Sequence, residues 1–570
     1  MYLRTTTRKN TDGSVTTYYQ LAHNTRNPKT KVPEVKVIYN FGRADTLNRD
    51  DLVRLCRSIA RVCGVTVTDS ITPEQTSTSK EQAGLPEDIK LVRSLELGAV
   101  FVIEQLWERL GIGSELRSIA KNTGDKIPYD KALLAMTANR LCQPQSKLGV
   151  WDRWLATVYL PSCRGLMLAH MYKAMDFLYE NSEEIEKAVF FRTANLFNTD
   201  IDLIFYDTTT VSFSIDYEDD DSGLRKYGKS KDGGWSPQVV VALAVTREGL
   251  PVRSWVFPGN TADVKTVEQV KSDLKGWKLG RALFVADAGM NSEDNRQELA
   301  KACGKYLLAT RMCSVKVRAA LAIREIKEIV LSAKVRYKVI SENLHAKEVI
   351  VGDGERRRRY ILCYNPSEAQ KQSKHREIVI EELKEILIKH TCHKATQQWA
   401  IELKASGRYK RYLTVDTQDC IRIDNDAIKN AAVYDGKWVI TTNDDTISVE
   451  DAACGYKSLM VIESCFRTLK HTQIKIEPMH HWLTNRIVAH VKICVLALLI
   501  ERTIELNCDQ PWRQIKETLA SLQVTEFKTA KLGFFQRNEI NSKVKYTLKS
   551  LDISAPKAIL EVSDKVSDSS

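Results

Sequence analysis

Leu203-Ile-Phe-Tyr-Asp-Thr (203–208) is an apolar run that closes on an acid, and Ala282-Leu-Phe-Val-Ala-Asp (282–287) repeats the pattern. Runs this short and apolar, rich in aromatic and branched residues, predict buried strands. Gln238-Val-Val-Val-Ala-Leu-Ala-Val, Val252 to Phe257 and Tyr306-Leu-Leu-Ala-Thr are further strand candidates, while helical spacing occupies Asp263 to Trp277 and Ser292 to Ala302. The order is three strands, helix, strand, helix, strand. A meander followed by crossovers predicts a mixed sheet with helices packed on it. A carboxylate at the end of a buried strand is costly unless it is hydrogen-bonded or beside a cation. Asp207 or Asp287 alone reads as a turn or helix cap. Two such strands next to one another would bring the two acids together, and this strand order favours that reading.

Downstream, residues 311–445 interrupt the pattern with strand-like pieces (Val335 to Ile340, Ala346 to Val351, Arg358 to Tyr364), a charged helix (His375 to Lys389) and a strand (Lys437 to Thr442). Helices resume from Val449 to about Leu506. On the first of them Tyr456, Glu463, Arg467 and Lys470 fall at seven- and four-residue steps, so they make one stripe. An acid flanked by two cations and a tyrosine suits a site where a metal and a polyanion meet. A solvated face with an ordinary Glu-to-Arg pair is the plain alternative.

Upstream, residues 89–200 carry helical spacing (Val100 to Leu110, Tyr129 to Leu141, Met171 to Tyr179), expected to form a helical, DNA-binding domain or a structural bundle. Residues 66–88 lack periodicity and read as a linker. Residues 1–65 alternate over Val15 to Leu21 and Val35 to Tyr39, then show helical steps from about Asn48 to Cys63, predicting a small β-plus-helix unit. Residues 507–570 are expected to be a helical region and tail.

The 570 residues, 43% hydrophobic and 27% charged, have a globular composition sufficient for several domains. The net charge of +12 is modest, but residues 1–65 carry 12 Lys/Arg against 5 Asp/Glu, which favours a nucleic-acid-facing segment. The 13 cysteines form no CxxC pair, so neither a disulfide framework nor a structural zinc site is expected. Met1 to Asn10 is polar, unlike a secretory signal. The most apolar run, Ile487 to Ile500, is short and contains His490 and Lys492, so a buried helix is expected rather than a membrane span. The expectation is an intracellular, cytoplasmic protein.

Acids on the first and fourth strands followed by an acid on a later helix resemble the ribonuclease-H-like catalytic core of DDE transposases. The pattern is similar to bacterial insertion-sequence transposases with a Tyr-x2-Arg-x3-Glu-x6-Lys signature, in which a β-rich insertion precedes the helix bearing the Glu. Tyr456, Glu463 and Lys470 fit that spacing, and Leu459 stands at the Arg position; Arg467, one turn beyond Glu463, is the candidate replacement. Lys226-Tyr-Gly-Lys-Ser-Lys-Asp-Gly-Gly, Phe257-Pro-Gly-Asn-Thr-Ala-Asp and the helix Ile487-Val-Ala-His-Val-Lys-Ile-Cys also resemble those enzymes. The implied fold is a multidomain α+β or α/β chain: a small β N-terminal unit, a helical domain, and a ribonuclease-H-like mixed sheet with flanking helices over 201–310 and 446–506, interrupted by a β-rich insertion at 311–445.

The resemblance implies that Asp207, Asp287 and Glu463 hold two Mg²⁺ or Mn²⁺ ions for in-line phosphoryl displacement. It implies cleavage at the ends of a transposable element, joining of the 3′ ends to target DNA, double-stranded DNA as partner, and a homodimer pairing two ends. Tyr456, Arg467 and Lys470 are expected at phosphates near the scissile bond. Trp438, in Gly436-Lys-Trp-Val, is the candidate for stacking on a flipped base, with a core tryptophan as the alternative. A metal-dependent nuclease of the same fold without strand transfer, and an inactive DNA-binding regulator, remain as alternatives. Arg356 to Arg359 reads as a DNA contact or a charged hairpin edge, and Asp216 to Asp221 as a solvated loop. His390, Cys392 and His393 lack a matching pair for zinc, and His480, His481 and His490 are expected in helical packing around the site.

Overall fold

The computed structural model describes residues 2–9, 15–26, 33–43, 89–197, 202–275, 277, 282–301, 304–310, 337–351, 358–390, 392–529 and 532–564. They fall in two compact units, Met1–Leu85 and Pro86–Ser570. In the first, β1 (Tyr2–Lys9), β2 (Val15–Arg26) and β3 (Pro33–Arg43) pair antiparallel in that order. The alternation expected around Val15 and Val35 lies on β2 and β3. The helix expected at 48–63 and the linker at 66–88 lie outside the described residues.

The second unit begins with a strand, β4 (Lys90–Glu96), before the helices α1 (Gly98–Arg109), α2 (Ile112–Ala120), α3 (Tyr129–Cys142), α4 (Lys147–Asp152), α5 (Leu168–Glu180) and α6 (Ser182–Phe197). Helix α3 is buried on nearly every side, as its run of Ala, Leu and Met permits.

The central sheet follows. Its elements are β5 (Leu203–Ser212), β6 (Lys226–Lys229), β7 (Trp235–Val245), β8 (Pro251–Pro258), α7 (Thr266–Lys275), β9 (Leu283–Ala286), α8 (Glu293–Ala300) and β10 (Lys305–Thr310). Strands β5, β7 and β8 form the antiparallel meander, and β5, β9 and β10 run parallel through the two helical crossovers. The spatial order is β10-β9-β5-β7, with β6 and β8 both on β7. This mixed α/β sheet is what the strand and helix order predicts.

The segment 311–445 is less separate than its composition suggests. Strands β11 (Lys338–Ser341), β12 (Leu344–Val351) and β13 (Arg358–Tyr364) extend the same sheet. Helices α9 (Pro366–Lys389) and α10 (Gln398–Ala405), the hairpin of β14 (Leu413–Val415) and β15 (Ile421–Ile423), and α11 (Asn425–Ala432) gather around a small core of their own that includes Val379, Leu383, Tyr412 and Ile421. The chain then returns as β16 (Lys437–Thr442), which joins β13 to β10. Ile361, Cys363 and Ile440 bury on the main core, so β13 and β16 belong to the central sheet.

Helices α12 (Val449–Lys457) and α13 (Met460–Arg467) are split at Ser458–Leu459, and α13 runs into a π turn over Thr468–Thr472. Helix α14 (Thr484–Cys508) is buried along most of its length and packs on α3, α5 and β8. Its Lys492 donates to Glu186 at 2.8 Å and to the Ser254 carbonyl at 2.6 Å. Among the described residues no helix is long and apolar enough to cross a membrane.

The C-terminal stretch differs from the helical expectation. After α15 (Trp512–Leu519), β17 (Gln523–Lys528) and β18 (Leu532–Arg537) precede α16 (Ser542–Ser550) and β19 (Ile559–Asp564). The three strands form a four-stranded antiparallel sheet with β4 in the order β19-β18-β17-β4. Short strands of this kind are stabilised by pairing with a distant partner rather than by local periodicity.

Candidate active site

The parallel register of β5 and β9 places Tyr206 opposite Ala286, so Asp207 and Asp287 stand one residue further on, side by side at the carboxyl ends of adjacent strands. Such strands lie about 4.8 Å apart. Asp207 accepts from the Thr208 backbone N–H at 2.7 Å. Burial pushes its carboxyl up to about 6, against the opposing pull of Lys231 and that N–H, while Asp263 and Asp287 push it further up.

Asp263 is a third acid beside these two. The Thr208 hydroxyl donates to its Oδ1 at 2.6 Å, and the Lys231 ammonium lies 3.2 Å from its Oδ2. Tyr206 donates to Thr266 Oγ1 at 2.6 Å, and Thr266 to the Asp263 carbonyl at 2.7 Å, so the strand that carries Asp207 also holds the segment that carries Asp263. Lys231 lies 3.7 Å from Asp207 Oδ1 and donates to the carbonyl and hydroxyl of Thr208, each at 2.6 Å. It comes from the turn between β6 and β7, closed by Gly233 and Gly234 at φ of 104° and 81°, where a side chain would be strained. A cation of the chain's own therefore sits among the acids.

Helix α13 packs on β5 and β7 through buried Ile462, Cys465 and Phe466, which leaves Glu463 and Arg467 exposed. The Tyr456 hydroxyl, at the end of α12, donates to Asp287 Oδ1 at 3.3 Å. Burial raises this phenol well above its ordinary value, and the charges of Asp287, Glu463 and Asp207 raise it further. All three acids thus bear on one hydroxyl.

Two models of known families match the chain. One, described as the IS1634 family transposase N-terminal domain, matches residues 3–69, and the other, the transposase DDE domain, matches residues 199–500. The chain belongs to the DDE transposases. No curated protein matches it. Among solved structures, a piggyBac transposase synaptic complex with hairpin DNA has a TM-score of 0.33 at 10% identity over 74% of this chain and 79% of that one. A Mos1 transposase paired-end complex with the left transposon end has a TM-score of 0.13 at 12% identity over 45% of this chain and 66% of that one. Likenesses at this level add nothing to the assignment.

The DDE domain of this DNA transposase implies dependence on a divalent metal. Among the described residues no group of three or more His, Cys, Asp or Glu side chains stands ready to hold an ion. The donor chemistry fits one nonetheless: Asp207, Asp287 and Glu463 offer only carboxylate oxygens, which suit Mg²⁺ or Mn²⁺.

The expected stripe on one helix is corrected. The split at Ser458–Leu459 separates Tyr456 from Glu463, and the π turn rotates Lys470 inward. Lys470 is buried, donating to the Thr210 carbonyl at 2.8 Å and pairing with Asp232. Leu459, at the signature Arg position, is a buried core residue. Trp438 is half-buried on β16 and packs against the main core. The registers of β16 with β10 and of β10 with β9 put it at the same end of the sheet as Asp287. Lys231 and Asp263 lie within Lys226–Gly234 and Phe257–Asp263, segments the sequence marks without assigning either residue a role.

Proposed function

We propose that Asp207, Asp287 and Glu463 hold the divalent metal of this insertion-sequence transposase, with Asp263 beside them, in a sheet of ribonuclease-H-like order β8-β7-β5-β9-β10. The bound metal would supply activation of a water or 3′-hydroxyl and stabilisation of the leaving oxygen in phosphoryl transfer. The register that sets Asp207 beside Asp287 carries this reading. Tyr456 orients Asp287 through its hydroxyl. Lys231 balances the acids through Asp207 and Asp263, and with a divalent ion held by those acids its ammonium would be available to a DNA phosphate. Lys470 acts as a positioning residue: through Asp232 it holds the turn that presents Lys231. Arg467, exposed one turn beyond Glu463, meets backbone phosphates, and Trp438 is the aromatic available at that sheet end for an unpaired base. The substrate is double-stranded DNA carrying the element's terminal repeats, and a homodimer acting in the cytoplasm on nucleoid DNA would cut two ends together and join them to a target.

The test incubates the full chain with Mg²⁺ and a plasmid bearing those terminal repeats, scoring end cleavage and joining. Asp207→Ala, Asp287→Ala and Glu463→Ala each lose on the order of 10³-fold or more in cleavage rate. Intact end cleavage in these variants overturns the site. Equal nicking of unrelated DNA by the wild type favours a nuclease without strand transfer.

A further inference from the structure

Away from the acids, a cavity of about 350 Å³ lies between α3, α4 and the start of α14. Arg140, Lys147, Lys475, His480, His481 and His490 line it. Lys147 and Arg140 are 3% and 6% exposed. Among the described residues the Lys147 ammonium has one partner, His490 Nδ1 at 3.2 Å. His490 Nε2 lies 3.1 Å from the Ile476 carbonyl, which places the ring proton on Nε2 and leaves Nδ1 to accept, as in a neutral imidazole. Arg140 donates to the carbonyls of Lys475, at 3.1 Å, and Gln145, and its Nε has no partner among the described residues. Neither cation is ion-paired with a carboxylate among the described residues. Glu477, the acid in the lining, accepts the Ser212 backbone N–H at 2.7 Å.

Buried cations are ordinarily paired, because an uncompensated charge in a low-dielectric site is costly. Here the missing charge faces a cavity that can admit it. Burial lowers the Lys147 ammonium to about 7, with Arg140 adding to the effect, and lowers His481 to about 3. An anion entering the cavity would find Lys147 donors with no acceptor, with Arg140 and Lys475 in the same lining. The volume exceeds what a carboxylate needs and accommodates a tetrahedral oxyanion with several acceptors, the geometry that Lys and Arg donors suit.

We propose that this cavity is a phosphate-binding pocket, formed by Lys147, Arg140 and Lys475 and backed by His481 and His490. The phosphate comes either from a DNA backbone or from a free phosphate compound. The first source rests on the reading of the chain as an end-cleaving transposase; the second does not. Glu477, bonded to Ser212 at the end of β5, ties the pocket to the strand that carries Asp207.

The test measures thermal midpoint and calorimetric binding of the full chain with inorganic phosphate at about 10 mM, in wild type and in Lys147→Met and Arg140→Met. Wild type is expected to be stabilised by phosphate. Both variants should bind phosphate at least about tenfold more weakly, and Lys147→Met, lacking a buried unpaired charge, should unfold no earlier than wild type without phosphate. That last reading separates lost binding from lost folding. Asp207→Ala is expected to bind phosphate as wild type does, so failure of the acid site and failure of the pocket are distinguishable. A second arm titrates a DNA duplex against salt. If Lys147→Met lowers the salt slope by about 1, the source is a backbone phosphate; if phosphate binding is lost with DNA binding unchanged, it is a free phosphate. No phosphate stabilisation in wild type, or equal stabilisation in wild type and both variants, overturns the proposal.

Discussion

Two charged clusters sit in the larger unit, and they are built with opposite balance. Beside the end of β9, Asp207 on β5 and Asp263 from the connection between β8 and α7 enclose a cation from the same chain, Lys231, at 3.7 and 3.2 Å. In the cavity beside α14, Lys147 and Arg140 are more deeply buried and have only neutral partners. Buried charge of either sign costs free energy until it is matched. The acid cluster has an internal match, a lysine on a glycine turn, where an external cation would compete with it. The basic cluster has none, so its match must come from outside or the Lys147 proton must leave.

The comparison breaks most readily at Lys470. If the turn of residues 230–234 is held by the Lys470–Asp232 pair, Lys470→Met destabilises the protein by about 1–3 kcal/mol in denaturant unfolding. The salt slope of DNA binding then stays unchanged, whereas Arg467→Ala lowers it by about 1. A lowered slope in Lys470→Met would return this lysine to the DNA surface. At Lys231 the expected effect is about tenfold, or about 1.4 kcal/mol: Lys231→Met removes the competing cation, and calorimetry should show tighter Mn²⁺ binding to the protein without DNA. Weaker binding would mean that the lysine does not stand in for the metal.

Glu501 sharpens the comparison, as a buried acid whose Oε2 has no partner among the described residues. Burial pushes its carboxyl up to about 8 from an ordinary 4.5, with Glu505 adding to the rise and Arg502 and Lys516 opposing it. The unfolded chain loses this proton above about 4.5 and the native chain keeps it to about 8, so native stability falls as pH rises between those values. Glu501→Gln is expected to flatten that fall and to be more stable than wild type by on the order of 1 kcal/mol at pH 8, measured by urea unfolding across pH. No pH-dependent difference would show that Glu501 finds a cation in solution.

The sequence carries the central sheet legibly, because its strands are short apolar runs with acids at their ends and its crossovers have helical spacing. Asp207 and Asp287 emerge as a pair for that reason. Glu463 depends on a family spacing rather than on any local property, since an exposed acid four residues before an arginine is common on helices. Lys231 and Asp263 are hidden because their approach depends on a turn and a loop packed against Thr208. Lys470 misleads because helical spacing assumes 3.6 residues per turn, and the π turn after Arg467 departs from it. The C-terminal strands β17, β18 and β19 escape notice because their first partner, β4, lies more than four hundred residues away in the chain.

The claim that Asp287 ligates the metal has a direct test in Asp287→Cys, assayed for cleavage of terminal-repeat DNA in Mg²⁺ and in Mn²⁺. A thiolate is a poor ligand for Mg²⁺ and a better one for Mn²⁺. The expected result is cleavage lost in Mg²⁺ and restored by at least about tenfold in Mn²⁺, with wild type active in both. Activity of Asp287→Cys that is the same in the two metals, whether retained or lost, would contradict direct ligation at this position.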